Sequence, residues 1–339
     1  MRKLASIRRV AEIRAIEGAD NIEAVRVDGW WVVSKKGEFK VDDLCVYFEI
    51  DSFLPIRPEF EFLRKSCFRS TKNLGDGFRL RTIKLRKQVS QGLALPCHIF
   101  PWFMHVNHKE GDDVTEFLGV QKWEVPLSPQ LAGKAKGNFP SFIRKTDQQR
   151  IQNCYGDLVN THREMLFEAT LKLDGSSMTV YLNDGVFGVC SRNLDLQETE
   201  DNTFWKVARK NKFEEMLHAY GKNVAIQGEL MGPGIQGNRE NLPDHQFFLF
   251  DVWDIDNQCY YTPMEAVDFA ADCDELEYKI TQVPLLGVLH IMNYSLEEIL
   301  AMTDIKSLNH PIAEGIVYRA MDGSTSFKVI NNKFLLEEK

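Results

Sequence analysis

The sequence has no apolar run approaching the ~20 residues needed to span a bilayer. Its opening residues, Met1-Arg-Lys-Leu-Ala-Ser-Ile-Arg-Arg9, lack the apolar core of a signal peptide. Cys-x-x-Cys pairs are absent as well: Cys45, Cys67, Cys97, Cys154, Cys190, Cys259 and Cys273 are scattered and odd in number. Such a set excludes a disulfide frame or a zinc site and reads as free buried thiols in a reducing compartment. The expectation is an intracellular, soluble protein without a membrane partner. Positive charge is short too. A net charge of −8 excludes a protein that coats nucleic acid nonspecifically, although a local basic patch can still serve an enzyme. Low-complexity tracts and internal repeats are missing, so neither a solenoid nor a disordered chain is in question.

What is present is enough chain, 339 residues, for two domains with a core each. Residues 1–119 read as short strands punctuated by Gly, Asp and Pro: Ile7–Ile16, Ala24–Gly29, Trp30–Val33, Asp43–Ile50, Phe78–Leu85 and Gly92–Pro96. That pattern predicts a small OB-type β-barrel. Within it, Phe78-Arg-Leu-Arg-Thr-Ile-Lys-Leu-Arg-Lys87 carries five positive charges and no acid. Arg79, Arg81, Lys84, Arg86 and Lys87 are therefore candidates for RNA phosphate contact, the alternative being an edge strand protected by its charges. Arg79 and Arg81 share parity with apolar Ile83 and Leu85, which predicts a bulge near Thr82. In residues 120–144, Pro126, Pro129, Gly133, Gly137 and Pro140 crowd together and hydrophobic periodicity is lost, as in a connector.

From residue 145 to 339, strands and helices mix without regular βαβ alternation, so the second domain is expected to be α+β. Thr146 or Asp147 is a plausible helix N-cap, with Lys145 and Arg150 close to an end that favours anions. A helical stripe runs from Asn202 to Tyr220. The central stretch is Glu168-Ala-Thr-Leu-Lys-Leu-Asp-Gly175. Strand alternation puts Lys172 and Asp174 on one side and Leu171 and Leu173 in a core, and Gly175 permits close backbone approach. A lysine beside a carboxylate suits a nucleophile with a metal site. Gly232-Pro-Gly-Ile-Gln-Gly237 is a loop without the Gly-Lys-Ser/Thr ending of a P-loop.

Further pieces follow in order: Ser191-Arg-Asn193, Gly228-Glu-Leu230, Phe248-Leu-Phe-Asp-Val-Trp253, Glu314-Gly-Ile-Val-Tyr-Arg319 and Phe327-Lys-Val-Ile-Asn331. The ordered series resembles the covalent nucleotidyltransferase superfamily of ATP-dependent ligases and mRNA capping enzymes. Ser177, where DNA ligases usually carry arginine, and the leading OB-like domain make it similar to the Deinococcus and Naegleria group of RNA ligases.

The resemblance implies an N-terminal OB domain, an α+β adenylyltransferase domain, ATP as substrate and Mg²⁺ or Mn²⁺. It makes Lys172 the lysine that takes AMP and Lys328 a contact to the α-phosphate. Asp174, Glu314 and Glu229 become metal-binding carboxylates, and Glu229 also a ribose contact. Phe250 becomes the aromatic that stacks on adenine, its other reading being a core phenylalanine. Leu171, Ser177, Arg192, Lys145 and Arg150 complete the ATP site. The implied reaction joins 3′-OH and 5′-phosphate ends of RNA at a break in a duplex; a monomer is the separate expectation. A GTP-using capping guanylyltransferase and an RNA-binding protein with a relict catalytic domain are the alternatives. One departure matters: related phage ligases have a second lysine where this chain has Ile330, so metal ions with Lys145, Arg150 or Arg192 are expected to meet the remaining phosphate charge.

Overall fold

The computed structural model describes residues 3–101, 108–123 and 134–337. They fold as two compact units, one within residues 1–126 together with 335–339, the other within 127–334. No helix among the described residues is long and apolar enough to cross a membrane.

The first unit is built from β1 (Ala5–Ala15), β2 (Ile22–Val27), β3 (Trp30–Lys35), β4 (Leu44–Phe48), β5 (Ser52–Pro55) and β6 (Phe68–Thr71), followed by β7 (Gly75–Arg79), β8 (Ile83–Leu85), β9 (Gln88–Ser90), β10 (Leu93–Pro96) and β11 (Gln121–Lys122). One sheet has the order β10-β4-β1-β2-β3 and a second β11-β5-β7-β6. The register of β1 shifts between Val10 and Glu12, so its first half pairs with β4 and its second with β2. A bulge of this kind bends a strand and lets it serve both sides of a barrel. Ile7, Val46, Phe48, Leu54, Phe60 and Phe78 fill the core, with Phe48 and Phe60 edge to face at 5.3 Å.

The basic stretch differs from expectation. The phase shift at Thr82 is resolved by a strand break, not a bulge: β7 ends at Arg79, and β8 pairs only with β9 in a separate hairpin. Arg79 is buried, with its guanidinium 4.8 Å from the centre of the Trp123 ring. Its charge serves internal packing, which corrects its assignment as a phosphate contact. Arg81 is half-buried, whereas Lys84, Arg86 and Lys87 are exposed on the hairpin. Arg86 (φ 47°) and Lys87 (φ 68°) form a tip with both residues left-handed, a conformation that Asn-Gly adopts at lower cost.

The second unit contains β12 (Ala135–Asn138), β13 (Gln149–Arg150), β14 (Phe167–Lys172), β15 (Ser176–Asn183), β16 (Val186–Ser191) and β17 (Leu194–Leu196). It continues with β18 (Val224–Met231), β19 (Gln246–Asp254), β20 (Cys259–Tyr260), β21 (Leu285–Leu289), β22 (Gly315–Ala320) and β23 (Ser326–Ile330). A seven-stranded sheet has the order β12-β17-β16-β15-β18-β19-β20 and a five-stranded sheet β13-β23-β22-β14-β21. The stretch read as a featureless connector supplies β11 to one unit and β12 to the other, while Pro126, Pro129 and Gly133 lie outside the described residues.

The helical stripe expected over Asn202–Tyr220 is two helices, Thr203–Lys210 and Phe213–Tyr220, broken where Lys212 turns left-handed (φ 52°). Phe204, Val207, Ala208, Phe213, Met216 and Leu217 still share one core against the larger sheet. The N-cap expected at Thr146 or Asp147 is absent: the helix Ile151–Thr161 begins later, with Arg150 at its cap position. All seven cysteines are free; Cys45, Cys97, Cys190 and Cys273 are buried and Cys259 is exposed.

Candidate active site

Lys172 ends β14, and its register partner is Gly315 of β22. A Cβ on Gly315 would lie 2.1 Å from the Val329 carbonyl oxygen, so glycine is what lets β22 lie between β14 and β23 here. Glu314, one residue earlier, thereby meets Lys172, with Oε1 2.7 Å from Nζ. Lys328 of β23 pairs with Val317, which pairs with Thr170 of β14. Cross-strand partners share a face, so Thr170, Lys172, Val317 and Lys328 line one side of the smaller sheet. Leu171 and Leu173 side chains turn into a core with Phe248 and Met231, as alternation requires.

The larger sheet closes the opposite wall. Ser177 of β15 pairs with Glu229 of β18. The Gly175 amide donates to Glu229 Oε1 at 2.9 Å. A Cβ on Gly175 would lie 2.5 Å from the Leu230 carbonyl oxygen and 2.9 Å from Glu229 Cγ, so any other residue would push these strands apart.

Phe250 is explained by register. Asp251 pairs with Gln227 and Leu249 with Gly228, leaving Phe250 as the extra residue of a bulge in β19. Phe247, Phe248 and Leu249 are buried in cores, whereas Phe250 is half-buried and reaches the pocket. Its reading as a core phenylalanine is thereby replaced by a ring on the cavity wall.

These residues enclose a cavity of about 310 Å³, lined also by Leu171, Asp174, Arg192, Val283 and Arg319. Two expected ATP contacts are elsewhere. Lys145 donates to Asn193 Oδ1 at 3.0 Å and lies over Phe139, and Arg150 is buried in β13; neither lines the cavity. Ile330 is buried opposite Gly315. Of the three cations expected to offset its missing charge, Arg192 alone lines the cavity. Sequence reasoning missed Asp147, which faces Lys328 at 3.7 Å and Arg192 at 3.9 Å. It also missed Arg319 on the cavity wall, paired behind it with Asp251, and Gln236 among the lining residues. Asp251 and Arg319 did sit inside the quoted pieces, where a carboxylate and a guanidinium in apolar strands signalled a buried pair.

Electrostatics sets the resting state. Burial works to lower the Lys172 pKa, but Glu314, then Glu229 and Asp174, outweigh it and hold the ammonium above the usual lysine value. Burial, with Glu314 and Asp174 adding to it, pushes Glu229 up to about 8 against the opposing pull of Lys172 and the Gly175 amide. In the free protein Lys172 is thus held as an ammonium against Glu314, and burial shifts Glu229 towards its neutral form. Among the described residues no three carboxylate, His or Cys side chains are arranged to hold a metal ion directly. Asp174, Glu229 and Glu314 line one cavity, and carboxylate oxygens are the donor type that Mg²⁺ and Mn²⁺ take.

A stability prediction follows from Glu229. A carboxyl whose folded pKa is raised costs stability as pH climbs from its unfolded value near 4.3 towards about 8. Glu229→Gln, which keeps the acceptor for Gly175, is expected to stabilise the free protein by about 1 kcal/mol at pH 5 and by several times that at pH 8. Thermal melts across that range check this; a gain independent of pH contradicts it.

An OB fold ahead of two sheets that enclose a lysine, three carboxylates and a second lysine defines a covalent nucleotidyltransferase of the ligase class. A family profile for an OB-fold domain matches residues 4–97, and one for RNA ligase matches residues 166–330. The chain belongs to the RNA ligase family. It is similar to Naegleria gruberi RNA ligase solved with pyrophosphate, at 46% identity over 100% of this chain and 99% of that one, TM-score 0.93. An apo aspartate-to-alanine mutant of that enzyme matches at 46% identity, 99% and 98% coverage and TM-score 0.93. A lysine-to-alanine mutant with ATP and Mn matches at 46% identity, 98% coverage of each chain and TM-score 0.92. No curated protein sequence matches the chain significantly.

Proposed function

We propose that this RNA ligase uses ATP and Mg²⁺ or Mn²⁺ to join 3′-OH and 5′-phosphate ends at nicks in duplexes, acting as a monomer. The observation that carries the reading is the convergence of Lys172, Asp174, Glu229, Glu314 and Lys328 on one cavity. ATP enters with adenine against Phe250, its ribose near Glu229 and its α-phosphate between Lys172 and Lys328. Lys172 Nζ, once deprotonated, attacks the α-phosphorus. The N–P bond forms as the P–O bond to pyrophosphate breaks, leaving lysyl-AMP.

Asp174, Glu229 and Glu314 would hold a divalent cation, whose charge would offset the field that keeps Lys172 protonated and leave burial to lower its pKa. Lys328 offsets charge building on the phosphoryl oxygens. In the second step a 5′-phosphate oxygen attacks the same phosphorus, and AMP passes to the RNA end as Lys172 is released. In the third, the 3′-OH attacks the activated 5′-phosphate and AMP leaves.

A gel assay on nicked duplexes, with RNA or DNA placed on each side of the nick, tests the proposal. The expected result is ATP-dependent sealing that requires RNA on the 3′-OH side. Sealing that depends on GTP instead, or none with any nick, would overturn it.

The hairpin is assigned to phosphate-backbone contact through Lys84, Arg86 and Lys87. Replacing all three by alanine is expected to leave lysine labelling from ATP intact. Nick binding should weaken, with the slope of log affinity against log salt reduced by about 2–3. An unchanged salt slope would remove the hairpin from the interface.

A further inference from the structure

Three carboxylates at the site come from separate places: the end of β14, β18 and the lead-in to β22. Between Glu229 and β19 runs the loop Gly232–Asn241, with Gly232, Gly234, Gln236, Gly237, Asn238 and Asn241 all at positive φ. Left-handed Gln236, Asn238 and Asn241 are costly conformations that persist where surroundings over-determine them. Asn238 does part of that: its side chain donates to the Leu242 carbonyl at 3.0 Å and accepts from the Leu242 amide at 3.1 Å.

Of two consecutive residues of this loop, Arg239 reaches Asp174 and Glu240 reaches the segment that leads to Glu314. Arg239 Nε lies 3.9 Å from Asp174 Oδ2, and its Nη2 lies 3.4 Å from His310 Nδ1. Glu240 is 4% exposed, and its Oε2 accepts from the amides of Asn309 at 2.5 Å and His310 at 3.0 Å. The Asn309 side chain returns a hydrogen bond to the Glu240 carbonyl at 2.9 Å. A buried carboxylate satisfied by two backbone amides fixes the chain that carries them. That chain runs directly into Glu314.

We propose that Arg239 and Glu240 are positioning residues: together they tie Asp174 and the Glu314 segment to the strand of Glu229, so that the three carboxylates present one pre-set acidic wall to the water shell of a divalent cation. This rests on the reading of those carboxylates as the metal site. Supporting partners of metal-binding groups govern affinity without touching the ion. Arg239 is also a cation near that wall, which by charge alone would repel a metal; the proposal holds that orientation outweighs that repulsion.

The test uses the full chain without ATP, titrated with Mn²⁺ and followed by the electron paramagnetic resonance signal of free Mn²⁺. Lysine labelling from α-labelled ATP is then measured as Mn²⁺ is varied. Arg239→Ala and Glu240→Gln are each expected to weaken Mn²⁺ binding by about 10-fold. Saturating Mn²⁺ should return labelling to near the parent level, and Arg239→Lys should bind Mn²⁺ close to the parent. Thermal melts accompany each variant, and Glu240→Gln is chosen because it keeps one acceptor oxygen. Unchanged or tighter Mn²⁺ binding in Arg239→Ala, or a labelling loss that Mn²⁺ does not restore in a folded variant, would overturn the proposal. Asp174→Ala separates the two levels. If it too leaves Mn²⁺ binding unchanged, the metal reading of the carboxylates fails; if it weakens binding while the loop variants do not, only the positioning role fails.

Discussion

Lys172→Ala is expected to abolish covalent labelling from α-labelled ATP, a loss of at least about 10⁴-fold, while the protein stays folded. Removing a nucleophile leaves no second group to form the same bond. In this cavity the remaining lysine, Lys328, lies on β23, with β22 between it and β14. The variant should lose some stability yet remain folded, since breaking an ion pair leaves its other member uncompensated. The free protein holds the ammonium against Glu314 at 2.7 Å, so its loss leaves acidic groups in a shared site. Of these, Glu229 already favours its neutral form. Labelling retained in Lys172→Ala would show that the nucleophile lies elsewhere. Thermal melts check that the variant remains folded.

The second large effect is on stability. Arg319 donates through Nε and Nη2 to the two oxygens of Asp251 at 2.6 and 3.2 Å, and through Nη1 to Thr170 Oγ1 at 3.1 Å. Both members of the pair are almost fully buried, with side chains 10% and 9% exposed. Arg319→Met strands a buried carboxylate and is expected to cost about 3–5 kcal/mol. Because the penalty comes from the orphaned charge, Arg319→Met combined with Asp251→Leu should recover most of it. Denaturant melts of the two variants measure the difference. Equal destabilisation by the single and double changes would mean that the pair itself, and not its broken half, holds β19 to β22. The guanidinium also lies 6.0 Å from the Phe250 ring, so Arg319→Met should weaken ATP binding as well.

Much of the site was legible because its residues fall on strands or within two residues of a strand end, where alternation still indicates the facing side. Lys172 and Asp174 opposite Leu171 and Leu173 needed only that rule. Glu229, Glu314 and Lys328 were reached through their order along the chain, which the resemblance supplied and the two sheets bring together. Phe250 was ambiguous for a physical reason: the run Phe247–Phe250 has no polar residue to set its phase, and the bulge that frees Phe250 depends on pairing with β18.

Other features depend on distant partners and left no local mark. Asp147 looked like a helix cap because an acidic residue ahead of a helix often is one, yet it faces Lys328 and Arg192. Arg79 looked like a nucleic-acid contact until Trp123 supplied a ring for it. Lys145 and Arg150 lie outside the cavity because Lys145 is drawn to Asn193 and Phe139 and Arg150 is buried in β13. The fold class was readable from strand lengths and turn residues; the break between β7 and β8 followed from tertiary pairing.

The most direct test of the central claim is peptide mass spectrometry after incubation of the full chain with ATP and Mn²⁺. The account predicts a single AMP group, carried on the peptide that contains Lys172, released again by pyrophosphate or transferred to a 5′-phosphorylated nicked RNA. AMP on Lys328 or on any other residue, or a protein that turns over ATP without becoming modified, would contradict it.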